Sequence, residues 1–447
     1  MSTERSVTED GKVVHLDQRS TDAASTRVNF DSGELGAKLC RELMAARAAG
    51  QRAQLLVFRI SNYGLLVDTF GTEFGTAAEA AMMEQLRGVL RRREPVQRIR
   101  PGEFGIVGRG IRSERALNAM AGRMVRGGTG HYEIDGISCR LGLEIGAAAC
   151  PGDSKDPEQL LAFARFALRD AADNVGECHT FSADRLARRK AVLRMEAEME
   201  QALEDRRFVL QYQPQFKVET GKIAGMEALV RMQREDGTRV PPDEFIPVAE
   251  DNGFILRLGY WIIGEACEQL ARWRRAGLGV PRVSLNLSPR QLADTELLYV
   301  IDAAIRTSGI EHTDLELEIT ERCMVDDSTR IEETLTALRS RGVRLAVDDF
   351  GTGYSSFAYL AWKPLDMVKL DRSFLSRIDT DVRTRAVVTG MIVMARELGL
   401  EVVAEGVETM EQAEFLREMG CEMAQGFALA RPQDPEEIAR MLVPNSD

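Results

Sequence analysis

From about residue 187 to residue 447, short apolar strands alternate with helical stretches, and this rhythm restricts the fold more than any other feature of the chain. The strand-like segments are VLQYQP (209–214), MEALVRM (226–232), RVSLNLS (282–288), LELEIT (315–320), RLAVDDF (344–350), MVKLD (367–371), LEVVAEGV (400–407) and MAQGFALA (423–430). Helical patterns such as WIIGEACEQLARWRRAG (261–277), RIEETLTALRSRG (330–342) and EQAEFLREMG (411–420) separate most of them. Gly277, Gly342, Gly399 and Gly420 stand where helices end on a left-handed cap. About eight strands alternating with helices over ~250 residues predict a (β/α)8 barrel. The first two strands are joined only by KVETGKIAG, too short for a crossover helix, so they should pair antiparallel.

Polar residues recur inside these strands. Glu227 lies in the second, Asn286 in the third, Glu318 in the fourth, Asp348 and Asp349 at the end of the fifth, Lys369 in the sixth, Glu405 in the seventh and Gln425 in the eighth. In a barrel the C-terminal strand ends share one rim, where barrel enzymes build their sites. A single acid at a strand end is ordinarily just solvated; polar groups from seven consecutive strands call for a common cause. Gathered together, such carboxylates would repel or take up protons unless cations neutralise them. An all-oxygen set without His or Cys selects hard ions, Mg²⁺ or Mn²⁺. Several carboxylates suggest two ions, ~3.5–4 Å apart, able to ionise water and neutralise a phosphoryl oxygen.

The first half has a different pattern. QLLVFRIS (54–61) reads as a strand, TAAEAAMMEQLRGVLRRR (76–93) as a helix, and VQRIRPGEFGIVGRG (96–110) as a hairpin turning at Pro101-Gly102. A helix near 114–126, a strand pair within 131–149 and a helix over 157–173 complete an α+β sandwich. The organisation expected is a mobile tail at 1–30, an α+β domain over 31–178, a charged helical linker at 179–206 and the barrel over 187–447.

A formal charge of −12 argues against a nucleic-acid binder. The polar start lacks a signal-peptide core, and the most apolar stretch, Ala386–Ala395, is too short for a membrane span of ~20 residues. Seven scattered cysteines without a CxxC pair suit reduced thiols in a cytoplasm, and four dispersed histidines make a zinc site unexpected.

EAL (227–229) within MEALVR, SLNLS, LEITE (317–321), DDFGTGYSS (348–356), VKLD (368–371), VVAEGVET (402–409) and QGF (425–427) together resemble the EAL family of bacterial cyclic di-GMP phosphodiesterases, in order and across the whole second half. The resemblance implies a (β/α)8 barrel with one reversed strand, and hydrolysis of cyclic di-GMP to linear pGpG. It implies that Glu227, Asn286, Glu318, Asp348, Asp349 and Glu405 ligate two divalent ions, directly or through water. Lys369 would orient and help activate the attacking water, beside Glu405, and a lysine near cations should have a depressed pKa. Arg231, Asp371, Gln425 and Phe427 match substrate-binding positions: Arg231 suits phosphate and Phe427 is placed to stack on guanine. In the family the DDFGTGYSS segment is a loop coupling metal binding to dimer contacts; Glu321 would anchor it, Glu408 belongs to the same anchoring set, and Gly351 and Gly353 would let it switch. A homodimer through this domain is expected.

The first half resembles a GGDEF (diguanylate cyclase) domain with an altered signature, Arg100-Pro101-Gly102-Glu103-Phe104. Arg59 and Ser61 align with the family's metal-binding aspartates, and Ala172 with its phosphate-contacting lysine. Cyclase activity is therefore not expected, although GTP stays a candidate ligand. Arg91-x-x-Glu94 sits where a product-inhibition site would lie, but reads better as a helix-end charge pair. Two other readings compete: a non-catalytic cyclic di-GMP receptor acting through a protein partner, and a bifunctional cyclase–phosphodiesterase. The intact set of metal-site positions argues against the first and Arg59 with Gly102 against the second.

Overall fold

The computed structural model describes residues 41, 43–45, 48, 52–90, 96–109, 111, 113–170, 178–321, 323, 329–352, 360 and 363–442. The tail at 1–30, Arg91, Glu94, Ala172 and Gly353 lie outside the described residues. The chain divides into two compact units, Met1–Arg188 and Arg189–Asp447.

In the first unit the strands are β1 (Ala53–Ile60), β2 (Val96–Arg100), β3 (Glu103–Arg109), β4 (Gly130–Ile134), β5 (Ile137–Leu141), β6 (Leu143–Cys150) and β7 (Cys178–Thr180). Five form a sheet in the order β2-β3-β1-β6-β7, and β4 pairs with β5 as a separate ribbon. The period of two along β1 serves both faces. Leu56, Phe58 and Ile60 pack with Met82 and Leu86 of helix Thr72–Val89 and Met120 of helix Glu114–Gly128. Leu55 and Val57 pack with Leu160, Leu161, Ala164 and Leu168 of helix Pro157–Asp170. That last helix lies so close to β6 that a Cβ on Gly146 would stand 2.2 Å from the Leu168 backbone nitrogen, which explains the small-residue run GAAA. The predicted hairpin turns at Pro101-Gly102 as expected, whereas helix Tyr63–Phe70 was not anticipated.

In the second unit the strands are β8 (Phe208–Lys217), β9 (Ile223–Gln233), β10 (Arg239–Val240), β11 (Val283–Leu287), β12 (Leu315–Thr320), β13 (Arg344–Phe350), β14 (Met367–Leu370), β15 (Glu401–Ala404) and β16 (Met423–Ala424). The ring runs β9-β11-β12-β13-β14-β15-β16-β8 and closes because β8 also pairs with β9. β8 is antiparallel to both neighbours, as the short turn after it requires, so this is an eight-stranded barrel with one reversed strand. The last strand is shorter than the sequence suggested: only Met423 and Ala424 pair in the ladder, and from Gly426 the chain turns, the Gly426 carbonyl accepting from Leu429 N and Ala430 N.

Alternation sorts each strand's residues into an outer and an inner set. The outer set (Leu285, Leu317, Ile319, Leu345, Val347, Val368 and Val402 among them) packs in the main core cluster, which includes residues of the surrounding helices. The inner set forms three layers. At the N-terminal ends of the strands, Arg282 and Arg344 hold the fully buried Glu316 and the half-exposed Glu401. Above them lies an apolar plug of Ala224, Ala346, Met367, Val403 and Met423. The third layer, at the C-terminal ends, is charged again. Below residue 195, helix Ala183–Glu204 is largely exposed, but Met195, Met199 and Ala202 join Phe208, Phe245 and Phe254 in an apolar cluster. The latter half of the expected charged linker helix is thus part of this core, in which Phe245, from helix Pro242–Asn252, is fully buried and contributes about 1.5–3 kcal/mol.

Candidate active site

Lys369 stands at the centre of the upper layer. Its side chain is 1% exposed, and Nζ lies 2.6 Å from Glu318, 2.6 Å from Glu405, 3.4 Å from Asp348 and 3.5 Å from Glu227. The register explains the convergence. Lys369 is an inner residue of β14; Glu318 is inner on β12, level with Asn286 on β11, and Glu227 on β9 is level with Ser284 on β11. Glu405 follows directly on β15. Asn286 Nδ2 donates to Glu227 Oε1 at 2.9 Å, and Gln425 Nε2 donates to Glu227 Oε2 at 2.6 Å.

The adjacent aspartates are turned apart by an irregularity of the β13–β14 register between Val347 and Phe350. Asp348 points inward to the lysine, while Asp349, held at φ +54°, is exposed. Only a residue tolerant of the left-handed region settles there, and aspartate is one of the few besides glycine. Asp349 in turn caps the turn that follows: its carbonyl accepts from Thr352 N and Oγ1. Glu321 Oε2 accepts from Gly351 N at 3.2 Å, and Gly351, at φ +95°, leaves no space for a Cβ beside Phe374 and Met391. Glu408 is exposed; the bond at this position is from its backbone N–H to Gln412 Oε1, at the start of helix Met410–Glu418.

With four carboxylates around it, the Lys369 ammonium is held well above the usual lysine range: burial works against the charge, but Glu227, Glu318, Glu405 and Asp348 outweigh it. The depressed value expected of a lysine beside cations refers to the metal-bound site. Burial likewise works against ionised Glu227, but the Lys369 charge and the Gln425 and Asn286 bonds bring its pKa below the ordinary value. Burial pushes Glu405 up to about 8, and burial with the Glu227 charge pushes Glu318 well up.

Does this set suit divalent ions? One ammonium faces four carboxylates, so negative charge is in excess. Glu318 Oε1 is buried without any hydrogen-bond partner, as is Gln425 Oε1. Unsatisfied buried carboxylate oxygen is costly, and a hard cation satisfies it. Among the described residues, no three acids or histidines close on a single ion-sized point; as placed, the acids close on the lysine. The donor chemistry fits Mg²⁺ or Mn²⁺, with Lys369 Nζ lying where the acids meet.

Of the other expected residues, Arg231 is half-buried, its Nε donating to Gln211 Oε1 at 3.0 Å and its Nη1 to the Val230 carbonyl. Asp371 caps helix Arg372–Leu375, and the Asp349 carboxyl is raised by burial first, then by the charges of Asp348 and Asp371. Phe427 is 57% exposed, with Arg431 stacked over its ring at 4.4 Å, so it is no core residue. Sequence reasoning missed Gln211 and Gln213. The signal was present in LQYQPQF: glutamine at every second position of an otherwise apolar strand puts all three on the inner face. Gln213 Oε1 accepts from Gln425 Nε2 at 2.9 Å, completing the support of Glu227.

In the first unit, the positions aligned with a cyclase's metal ligands do not suit a metal. Arg59 Nε donates to the buried Glu144 at 2.5 Å, and the buried Glu103 pairs with Arg100 (2.7 Å) and Arg165 (2.6 Å). Guanidinium groups stand where a metal would need anionic ligands. Ser61 is exposed and donates its backbone N–H to Gly142.

The chain thus carries a five-stranded α+β unit and, after it, a closed barrel with one reversed strand and an acidic, lysine-centred mouth. The EAL domain family model matches residues 196–432, and that for "Diguanylate cyclase, GGDEF domain" matches residues 34–177. The chain belongs to the EAL-domain family and carries a GGDEF domain ahead of it. Similar curated proteins include the bifunctional diguanylate cyclase/cyclic di-GMP phosphodiesterase MucR of Pseudomonas aeruginosa, 32% identical over 87% of this chain and 57% of that protein. The cyclic di-GMP phosphodiesterase NbdA of the same organism is 33% identical over 88% of this chain and 50% of its own length. The chain thus spans about half the length of these curated relatives. A solved structure titled "PaMucR Phosphodiesterase, c-di-GMP complex" is 37% identical, with a TM-score of 0.53, over 55% of this chain and 99% of that one. No helix among the described residues is long and apolar enough to cross a membrane.

Proposed function

We propose that the chain is a cyclic di-GMP phosphodiesterase that opens one phosphodiester bond to give linear pGpG. The observation that carries this reading is the convergence of acids from four strands on Lys369 Nζ within 3.5 Å. Glu227, Asn286, Glu318, Asp348, Asp349 and Glu405 would hold two Mg²⁺ or Mn²⁺ ions. Such ions lower the pKa of bound water and neutralise phosphoryl oxygen. The chain's own groups do the rest. Lys369, buried in the acidic mouth 2.6 Å from Glu405, donates a hydrogen bond that orients the attacking water, with Glu405 beside it. Arg231 binds a phosphate and Phe427 offers an exposed ring face to guanine, with Asp371 and Gln425 at the edges of the same site. Water attacks phosphorus in line, the bond to the ribose 3′ oxygen breaks, and that oxygen takes a proton.

The GGDEF domain, over 31–178, would regulate or scaffold the phosphodiesterase rather than make cyclic di-GMP, because Arg59 fills its metal position; GTP is a ligand to test there. Dimerisation through the barrel domain (187–447) is supported by helix Val382–Glu397, which exposes Val382, Ala386, Val387 and Val393. A cytoplasmic site of action suits the free thiols of the described cysteines. One assay tests the proposal: incubation with cyclic di-GMP or GTP plus Mg²⁺, followed by identification of the nucleotides formed. The reading requires pGpG from the first and no cyclic di-GMP from the second. Binding of cyclic di-GMP without turnover would favour a receptor instead.

A further inference from the structure

Arg231 is aimed by a hydrogen-bond chain that begins outside the acidic mouth. On the antiparallel pair β8–β9, Arg231 stands opposite Val209, so Gln211 is its diagonal neighbour on the inner face. Gln211 is 8% exposed and uses both ends of its amide: Oε1 accepts from Arg231 Nε at 3.0 Å, and Nε2 donates to Asp434 Oδ1 at 2.9 Å. Asp434 is itself fixed. Gln433 exchanges both backbone bonds with Tyr212 (2.8 and 2.9 Å), and the Asp434 carbonyl accepts from Glu437 N and Ile438 N at the head of helix Pro435–Leu442. Its second carboxylate oxygen lies 3.5 Å from Arg239 Nη2.

An amide long enough to span them joins these two ends. It must accept from a guanidinium on one side and donate to a carboxylate on the other; a carboxylate at 211 would face Asp434 with like charge, and an apolar side chain would do neither. Asp434 therefore fixes which way the Gln211 amide faces, and Gln211 fixes Arg231 through Nε. Neither the Arg231 Nη2 group nor any other part of its guanidinium pairs with a carboxylate among the described residues, so the positive charge is kept for an incoming anion.

We propose that Gln211 and Asp434 are positioning residues that hold the Arg231 guanidinium toward a phosphate of the substrate. The inference rests on reading Arg231 as the phosphate contact of a phosphodiesterase. The test is steady-state hydrolysis of cyclic di-GMP by the full chain with Mg²⁺, with circular dichroism as the folding control. Gln211→Met should raise KM about tenfold, the size expected for one lost bond to a charged group, with kcat within about twofold. In an Arg231→Ala background the same change should do nothing further. Asp434→Ala should raise KM by about threefold, whereas Asp434→Asn, whose Oδ1 still accepts the Gln211 proton, should behave as wild type. The relay is overturned if Gln211→Met leaves KM unaltered, acts through kcat instead, or costs as much without Arg231. Should Gln211→Met not fold, the half-exposed Asp434 pair decides: equal KM in the Ala and Asn variants overturns it. A wild-type chain that binds but does not hydrolyse cyclic di-GMP overturns the phosphodiesterase reading, and this relay with it.

Discussion

The two units solve the same problem, buried carboxylates, in opposite ways. In the barrel one ammonium serves Glu227, Glu318, Asp348 and Glu405. In the first unit three guanidinium groups, those of Arg59, Arg100 and Arg165, serve two carboxylates, Glu103 and Glu144. The first cluster is left with excess negative charge and unsatisfied oxygen; the second is neutralised from within. An acidic cluster short of cations can recruit divalent ions, whereas one supplied by arginine already has its charge balanced. The number and kind of resident cations, more than the number of acids, thus set how much uncompensated charge each cluster keeps.

The sharpest way to break this contrast is to remove an acid that the barrel cannot replace. Glu227→Ala should lower hydrolysis of cyclic di-GMP at least ~10³-fold while circular dichroism and the melting transition stay close to wild type. Full activity in that variant would end the metal assignment. Lys369→Ala comes next. It should lower kcat by roughly 10²–10⁴-fold, the range of a positioned proton-handling group, while moving the Mg²⁺ concentration for half-maximal rate much less. Titration of rate against Mg²⁺ separates the two: a shift in metal dependence with kcat preserved would make Lys369 a structural counter-ion only.

The barrel and its acids were legible because both follow from the period of two. LELEIT and RVSLNLS announce an apolar outer face and a polar inner one, and the closeness of Glu318 to Asn286 is a matter of strand register. What alternation cannot give is which charge wins in three dimensions. Lys369 is one residue of MVKLD in the sequence, and its raised pKa arises from acids on β9, β12 and β13 and from Glu405 just after β15, none adjacent to it in the chain. Arg59 was recognisable as an intruder among expected acids, but its partner Glu144 lies 85 residues away and carried no motif. Helix Tyr63–Phe70 went unseen because its helix-period pattern, YGLLVDTF, is short and begins without a side-chain cap. The brevity of β16 reflects the turn after Gly426, whose carbonyl accepts from Leu429 N and Ala430 N, where the sequence reads on as an apolar run.

A smaller effect is expected in the first unit. Arg59→Met removes the cation paired with Glu144, whose side chain is 5% exposed, while Arg59 itself is partly open to solvent. Leaving a buried carboxylate without its partner, discounted for that exposure, should lower the stability of the first unit by roughly 1–3 kcal/mol in chemical denaturation. Hydrolysis of cyclic di-GMP should change little. If the variant were as stable as wild type, the claim that arginine neutralises this cluster from within would fail.

The smallest effect sharpens the comparison most. Glu103 has two guanidinium partners, and Arg100 is the more exposed, at 56% against 24% for Arg165. Solvent-exposed ion pairs contribute about 0–1 kcal/mol, and here a second cation stays in place, so Arg100→Gln should lower stability by no more than about 0.5 kcal/mol. Arg165→Gln should cost more, because the remaining partner is then the one most exposed to solvent. The barrel has no such redundancy: among the described residues the only cation within 4 Å of Glu318 is Lys369. Equal losses for Arg100→Gln and Arg165→Gln would show that the arginines act as a diffuse positive surface and not as a graded internal set. The two clusters would then differ in net charge alone.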